Sequence, residues 1–354
     1  MQQKTYEINL QQKTDIFIGE NLLVSLDNIL KAYEHTSYTM LCTKTTHALL
    51  ASKIKHTLLQ TGKPVYVSVI EDGEKSKGIN TMMNVFKAML ANDVDRKAAL
   101  IALGGGVVGD IATVIAGFYY RGIDCIQIPT TLVSQVDAAI GGKGAVNIGQ
   151  HKNTIGIIRQ PRCIVIDTSI IKSLTRDQVL SGVGEIAKYA IAMDKNLFAK
   201  LSTLKDLKDV LSEDIIATCV RLKMSVVEKD PLEQNIRATI NFGHTFGHAI
   251  ELSKDIPHGQ AVSIGMTFAI KLSMYKGLLK RKDAGLALAL LQKLGLPTTI
   301  DNIDKNQVYE LMRKDKKAVG GKIKFVLLES IGKVKIGQEI DEKIIKKALD
   351  EVIV

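Results

Sequence analysis

Three of the seven histidines fall inside one stretch, NFGHTFGHAIELSKDIPHGQAV, at His244, His248 and His258. His244 and His248 are four apart, so a helix carries both imidazoles on one face, where they can share a metal ion or hold a proton. A lone histidine is usually a satisfied core residue, but three flanked by Gly243, Gly247 and Gly259 read better as a site. The spacing is similar to the zinc-peptidase pattern H-E-x-x-H, yet Thr245 stands where that general base must be, so peptidase chemistry is disfavoured. A metal that keeps an open position commonly takes two histidines and a carboxylate. GVGEIAKYA offers Glu185, three residues before Lys188, and two readings stay open: a ligand beside an ammonium, or a surface ion pair on one helical face.

Other residues suit anions. In AALIALGGGVVGD, Gly104, Gly106 and Gly109 form G-x-G-x-x-G between a strand and a helix, where bare N–H groups and the helix dipole attract phosphate. The same glycines would also make an ordinary tight turn, with Asp110 complementing the helix start. Upstream, EDGEKSK places Glu74 and Lys77 just past a strand end, the edge at which parallel sheets bind ligands. Downstream, IPTTLVSQVDAAIGGKGAVNIGQHKNTIGIIRQP holds Thr130, Thr131, Asp137, Lys143, Lys152 and Asn153 among small residues. With few large apolar side chains to pack, it reads as a long loop, and such loops inside compact domains usually contact substrate.

These residues need a frame. SYTMLC, VYVSVI, AALIAL and CIQIP read as strands, alternating with helical periodicity over 45–60, 77–91 and 107–117. That rhythm predicts a Rossmann-like parallel sheet flanked by helices, an α/β N-terminal domain over residues 1–172. Beyond it, amphipathic stretches at 176–193, 207–229, 243–253, 259–277 and 281–294 predict a mainly α-helical C-terminal domain over 173–354. KIKFVLLESIG reads as a late strand or hairpin that returns to the first domain or caps the second. A length of 354 residues suits two domains.

Composition narrows the class. Hydrophobic residues at 46% and charged residues at 24% are those of a globular chain, and no apolar run is long enough to span a membrane. The polar N-terminal stretch lacks a signal-peptide core, so a cytoplasmic enzyme is expected. Cys42, Cys125, Cys163 and Cys219 lie far apart and suit reduced core positions. A net charge of +10 admits nucleic acid, but the lysines are scattered and aromatics are only 5%, which leaves little for base stacking. An anionic small substrate fits better.

From GEKSK through GGGVVGD, IPTTLVSQVD, GEIAKYA, NFGHTFGHA and PHGQAVSIGM to MRKDKK, the chain resembles the 3-dehydroquinate synthase family over nearly its whole length. The resemblance implies a homodimer that uses NAD and zinc, or cobalt in its place, to convert 3-deoxy-D-arabino-heptulosonate 7-phosphate to 3-dehydroquinate and phosphate. It implies metal ligands at Glu185, His244 and His258, with His248 left to handle a proton or touch substrate. NAD contacts map to Glu74, Lys77, Gly104, Gly105, Gly106, Asp110, Thr130, Thr131, Lys143 and Lys152. The phosphorylated sugar acid maps to Asp137, Lys143, Asn153, Lys188, Lys223, Arg237, Asn241, His248 and one or both of Lys316 and Lys317, with Arg121 reaching across a dimer. The implied mechanism resets itself: hydride leaves to NAD, phosphate is eliminated, hydride returns, and the opened ring recloses as a carbocycle. Ala138, Ala139, Gly144, Ala145 and Gln260 depart from the family pattern without removing a ligand. Lys44 stands where an acid near the adenine ribose is common. The rivals are another sugar-phosphate cyclase, a metal-dependent glycerol-type dehydrogenase, or a non-catalytic basic binding protein.

Overall fold

The computed structural model describes residues 13–149, 151–314 and 323–354. Its main sheet has six parallel strands in the order β1-β8-β5-β4-β2-β3. These are β1 (Asp15–Gly19), β2 (Tyr38–Thr43), β3 (Val65–Ile70), β4 (Ala99–Gly104), β5 (Asp124–Pro129) and β8 (Cys163–Asp167). The period of two divides β4 between two cores. Ala99, Ile101 and Leu103 face one with Met40 and Ile126, while Leu100 and Ala102 face the other with Ile111 and Ile115. Burial on both faces is why β4 reads as a continuous apolar run.

The four strands read from sequence are all present, and the pattern missed β1 and β8, five residues each. The stretch read as one long loop is a correction. It contains a helical turn, Ser134–Ala138, and an antiparallel hairpin of β6 (Lys143–Ile148) and β7 (His151–Ile158). The loop reading failed because β6 packs on the Gly106–Phe118 helix through small residues: a β-carbon on Gly144 would sit 2.5 Å from Thr113 Cβ. Small side chains here mark close packing, not absence of structure.

Beyond the sheet lie the helices Arg176–Ala192, Glu213–Val227, His244–Ser253, His258–Tyr275 and Arg281–Lys293. Thr175 and Gln178 start the first with a capping box. The KIKFVLLESIG segment forms β9 (Phe325–Ser330), which pairs with β10 (Lys333–Gln338) and packs on the His258–Tyr275 helix, so it caps the helical half. Helices Lys305–Lys314 and Glu342–Val352 lie beyond the amphipathic stretches that the sequence marks. One core joins the halves, packing Leu132, Val136, Ile164 and Ile166 against Val183, Ile186 and Ala190. All four cysteines are buried and free. Among the described residues, no helix is long and apolar enough to cross a membrane.

Candidate active site

Glu185 is fully buried on the Arg176–Ala192 helix, and His244 and His258 are the first residues of two further helices. Ligand atoms of the three lie within 4.8 Å of one another. Glu185 Oε1 is 3.1 Å from His258 Nε2 and 3.5 Å from His244 Nε2. Both rings turn Nδ1 away from this centre, His244 toward the Phe242 carbonyl at 3.3 Å and His258 toward Glu251 at 2.9 Å. With Nδ1–H donating outward, each Nε2 is free to ligate.

Burial opposes a charge on His258, but the bonds to Glu185 and Glu251 prevail and raise its pKa to about 10. A proton held there occupies the place a cation would take. His244, more deeply buried, is pushed the other way, toward the neutral imidazole that a metal requires. Burial also opposes ionisation of Glu185, yet Lys188 and His244 outweigh it and hold the carboxyl well below its usual range. The donor set therefore fits a divalent ion with an open position. His248 stays outside the triad, its ring edge-on to His244 with centroids 5.3 Å apart.

The Glu185–Lys188 pair does form, but in the interior instead of on the surface. Lys188 also lies 3.6 Å from Asp137, and Lys223 is 2.9 Å from the same carboxylate. Tyr189 donates its hydroxyl to Asp137 as well. Burial raises the Asp137 pKa, but Lys188 and Lys223 overcome it and bring the value to about 2. Burial pushes Lys223 down, against the pull of Asp137. Lys143 pairs with Glu233, which also accepts from Asn241 Nδ2 at 2.8 Å. Arg237 is fully buried and donates to the carbonyls of Gly141 and Pro231 at 3.0 and 2.7 Å. Gly141, with φ +97°, passes so close that a β-carbon would lie 2.4 Å from the guanidinium.

The glycine turn leads from β4 into the Gly106–Phe118 helix. From β2 the chain moves to β3 on one side, and from β4 to β5 on the other, so Gly104 ends a strand at the topological switch point. The N-cap Gly105 faces Thr131, whose Cγ2 would be 3.2 Å from an added β-carbon, and Thr130 N–H donates to Gly104 O at 3.0 Å. A bare cradle at a helix N-terminus suits a pyrophosphate. Beside it, Lys77 contacts Asp110 at 2.5 Å and Asn153 at 2.6 Å, and Asn147 joins Glu74 to the Asn153 backbone, each at 2.8 Å. Burial raises the Asp110 pKa despite Lys77.

One hairpin thus carries Lys143, Asn147 and Asn153 between the glycine turn and the cation cluster. Lys152 is exposed on β7. Arg121 is exposed beyond the far end of the Gly106–Phe118 helix, whose 13 residues put it about 20 Å from the glycine turn. Lys316 and Lys317 lie outside the described residues. Sequence reading missed Tyr189, Glu233, Asn147 and Glu251. Tyr189 adjoins Lys188 and Glu251 sits seven residues after His244, a helical spacing that could have flagged them; nothing local marks Glu233 or Asn147.

A parallel sheet with a glycine turn at its switch point, joined to helices that present a carboxylate and two histidines, places this chain in the class of the sugar-phosphate cyclases. Among solved structures, a 2-deoxy-scyllo-inosose synthase complexed with carbaglucose-6-phosphate, NAD+ and Co2+ is 26% identical, with a TM-score of 0.85 over 95% of this chain and 96% of that one. A probable glycerol dehydrogenase from Sinorhizobium meliloti shares the fold at 14% identity, with a TM-score of 0.63 over 96% of each chain. Profiles described as 3-dehydroquinate synthase N-terminal and C-terminal match residues 67–181 and 182–318. The 3-dehydroquinate synthase of Helicobacter pylori is 37% identical over 99% of this chain and 97% of its own. That of Thermoanaerobacter pseudethanolicus is 36% identical over 96% and 98%. The chain belongs to the 3-dehydroquinate synthase family.

Proposed function

We propose that the chain converts 3-deoxy-D-arabino-heptulosonate 7-phosphate to 3-dehydroquinate and inorganic phosphate. The observation that carries this reading is the Glu185–Lys188–Asp137–Lys223 chain of contacts, which seats a metal triad directly against buried cations. When bound, NAD along the glycine turn supplies a reversible hydride acceptor, and zinc or cobalt on Glu185, His244 and His258 supplies a Lewis acid for a substrate hydroxyl.

The remaining work falls to the side chains. With Glu185 committed to the metal triad, Lys143, Lys188, Lys223 and Arg237 exceed the carboxylates left to face them, Asp137, Glu233 and Asp230, so the cluster suits a substrate that brings its own negative charge. Asn241 and Asn153 offer amides to its hydroxyls, and Asp137 fixes the two lysines that flank it. His248, its ring 5.3 Å from that of His244, is placed to pass a proton to or from the substrate. A neutral polyol would leave the surplus positive charge of this cluster unmatched, which favours the cyclase over a glycerol-type dehydrogenase. The hydride lost in the first half of the reaction returns in the second, so catalysis is mostly positioning and electrostatics.

We take residues 1–172 as the NAD-binding domain and 173–354 as the helical metal- and substrate-binding domain, with Asp137, Lys143 and Asn153 crossing from the first to the second. The working form is proposed to be a cytoplasmic homodimer in which Arg121 of one copy serves the phosphate in the other. Its exposure, away from its own glycine turn, supports that assignment. The test is direct: protein with NAD and Zn2+ should release phosphate from the heptulosonate phosphate without accumulating NADH. Net NADH from glycerol, with no phosphate released, would instead identify a dehydrogenase.

A further inference from the structure

We propose that Glu251 is a positioning residue for the metal ligand His258, an inference that rests on the metal-site reading above. Glu251 Oε1 lies 2.9 Å from His258 Nδ1, while Glu185 Oε1 lies 3.1 Å from Nε2 on the opposite side of the ring. An ionised carboxylate only accepts hydrogen bonds, so Glu251 fixes the proton on Nδ1 and turns the Nε2 lone pair to the triad.

The placement has a simple origin. His244 opens the His244–Ser253 helix, and Glu251 follows seven residues later, two turns along the same face. One helix therefore supplies both a ligand and the brace for the next ligand, with only residues 254–257 between this helix and the one that His258 opens. His258 needs that brace more than His244 does. The His244 side chain is 10% exposed and backed by the Phe242 carbonyl, whereas that of His258 is 35% exposed and has less packing around it to hold its ring. The carboxylate also makes the imidazole a stronger donor to a cation.

The experiment compares wild type, E251A, E251Q and H258A as full-length proteins, measuring zinc affinity by competition with a chelating dye and the visible spectrum of bound Co2+. E251A should weaken zinc binding 10- to 100-fold, about the usual effect of losing such a partner. E251Q should lose less, because its amide oxygen still accepts from Nδ1 but carries no charge. Both should shift the cobalt bands, while the metal-free proteins melt near the wild-type temperature. Wild-type zinc affinity together with an unshifted cobalt spectrum, in E251Q or in folded E251A, overturns the proposal. H258A separates the two levels: if it binds zinc as tightly as wild type, the metal site itself is wrong and Glu251 falls with it.

Discussion

Gly184 and Gly259 face each other across two helices at a distance that no side chain could share. A β-carbon on Gly184 would lie 2.5 Å from the Gly259 carbonyl oxygen, and one on Gly259 would lie 2.2 Å from that of Ser181. Each glycine adjoins a metal-site residue, Glu185 and His258, so the close approach of the backbones is what lets these side chains meet at 3.1 Å.

Gly259→Ala should therefore separate the helices. Overpacking of this kind costs about 1–3 kcal/mol, and the same displacement should weaken zinc binding. Denaturant titration of the metal-free protein measures the first effect and zinc titration the second. Unchanged zinc affinity in a destabilised variant would mean that the triad tolerates the shift.

The histidines divide by role. His258→Ala should lose bound metal, since Nε2 faces the Glu185 carboxylate directly. His248→Ala should keep the metal and lose about 100- to 10,000-fold in rate, the usual range for a positioned proton carrier. Metal content by elemental analysis, set beside the phosphate-release rate, decides the matter. Equal metal loss in both variants would restore the i,i+4 pair as the binding site.

That division shows where sequence reading stops. Strands β2 to β5 and the helices around the site were legible because their apolar residues repeat at strand or helix period. The hairpin β6–β7 was not, because its glycines pack against backbone and Thr113 and leave too few large apolar residues to mark a strand. From the residues alone, His248 paired with His244 more naturally than His258 did. Choosing His258 took the family resemblance, since its position depends on the turn between two helices. Glu233 was invisible for the same reason: it meets Lys143 from 90 positions away.

The charge on Asp137 gives a pH dependence. With its pKa lowered to about 2 by Lys188 and Lys223, against the effect of burial, the carboxylate stays ionised wherever the enzyme works. A depressed pKa stabilises the fold above the unfolded value near 3.8 and loses that contribution as pH falls toward 2. Asp137→Asn leaves the buried Lys223 without its carboxylate and Lys188 with Glu185 alone, and should cost about 3–5 kcal/mol at neutral pH. Urea titrations of both proteins should show a gap that is constant above about pH 5 and narrows below pH 4. A gap that held its size down to pH 2 would contradict this account.

Lys44 carries the last prediction. At the ends of neighbouring strands β2 and β3 it pairs with Glu71 at 2.6 Å, so the acid that the resemblance leads one to seek at position 44 is supplied one strand over. Glu71 and Asp72 together outweigh the Lys44 charge and make this corner acidic, which disfavours a ribose phosphate and leaves a carboxylate for a ribose hydroxyl. Glu71→Gln should remove one of the two acids that act on Lys44, leaving Asp72, and shift preference toward NADP by up to about fivefold, the size of an exposed charge pair. Phosphate release measured with NAD and with NADP across a concentration series gives the ratio. If the ratio is unchanged in E71Q but moves in Lys44→Ala, the lysine sets cofactor choice on its own.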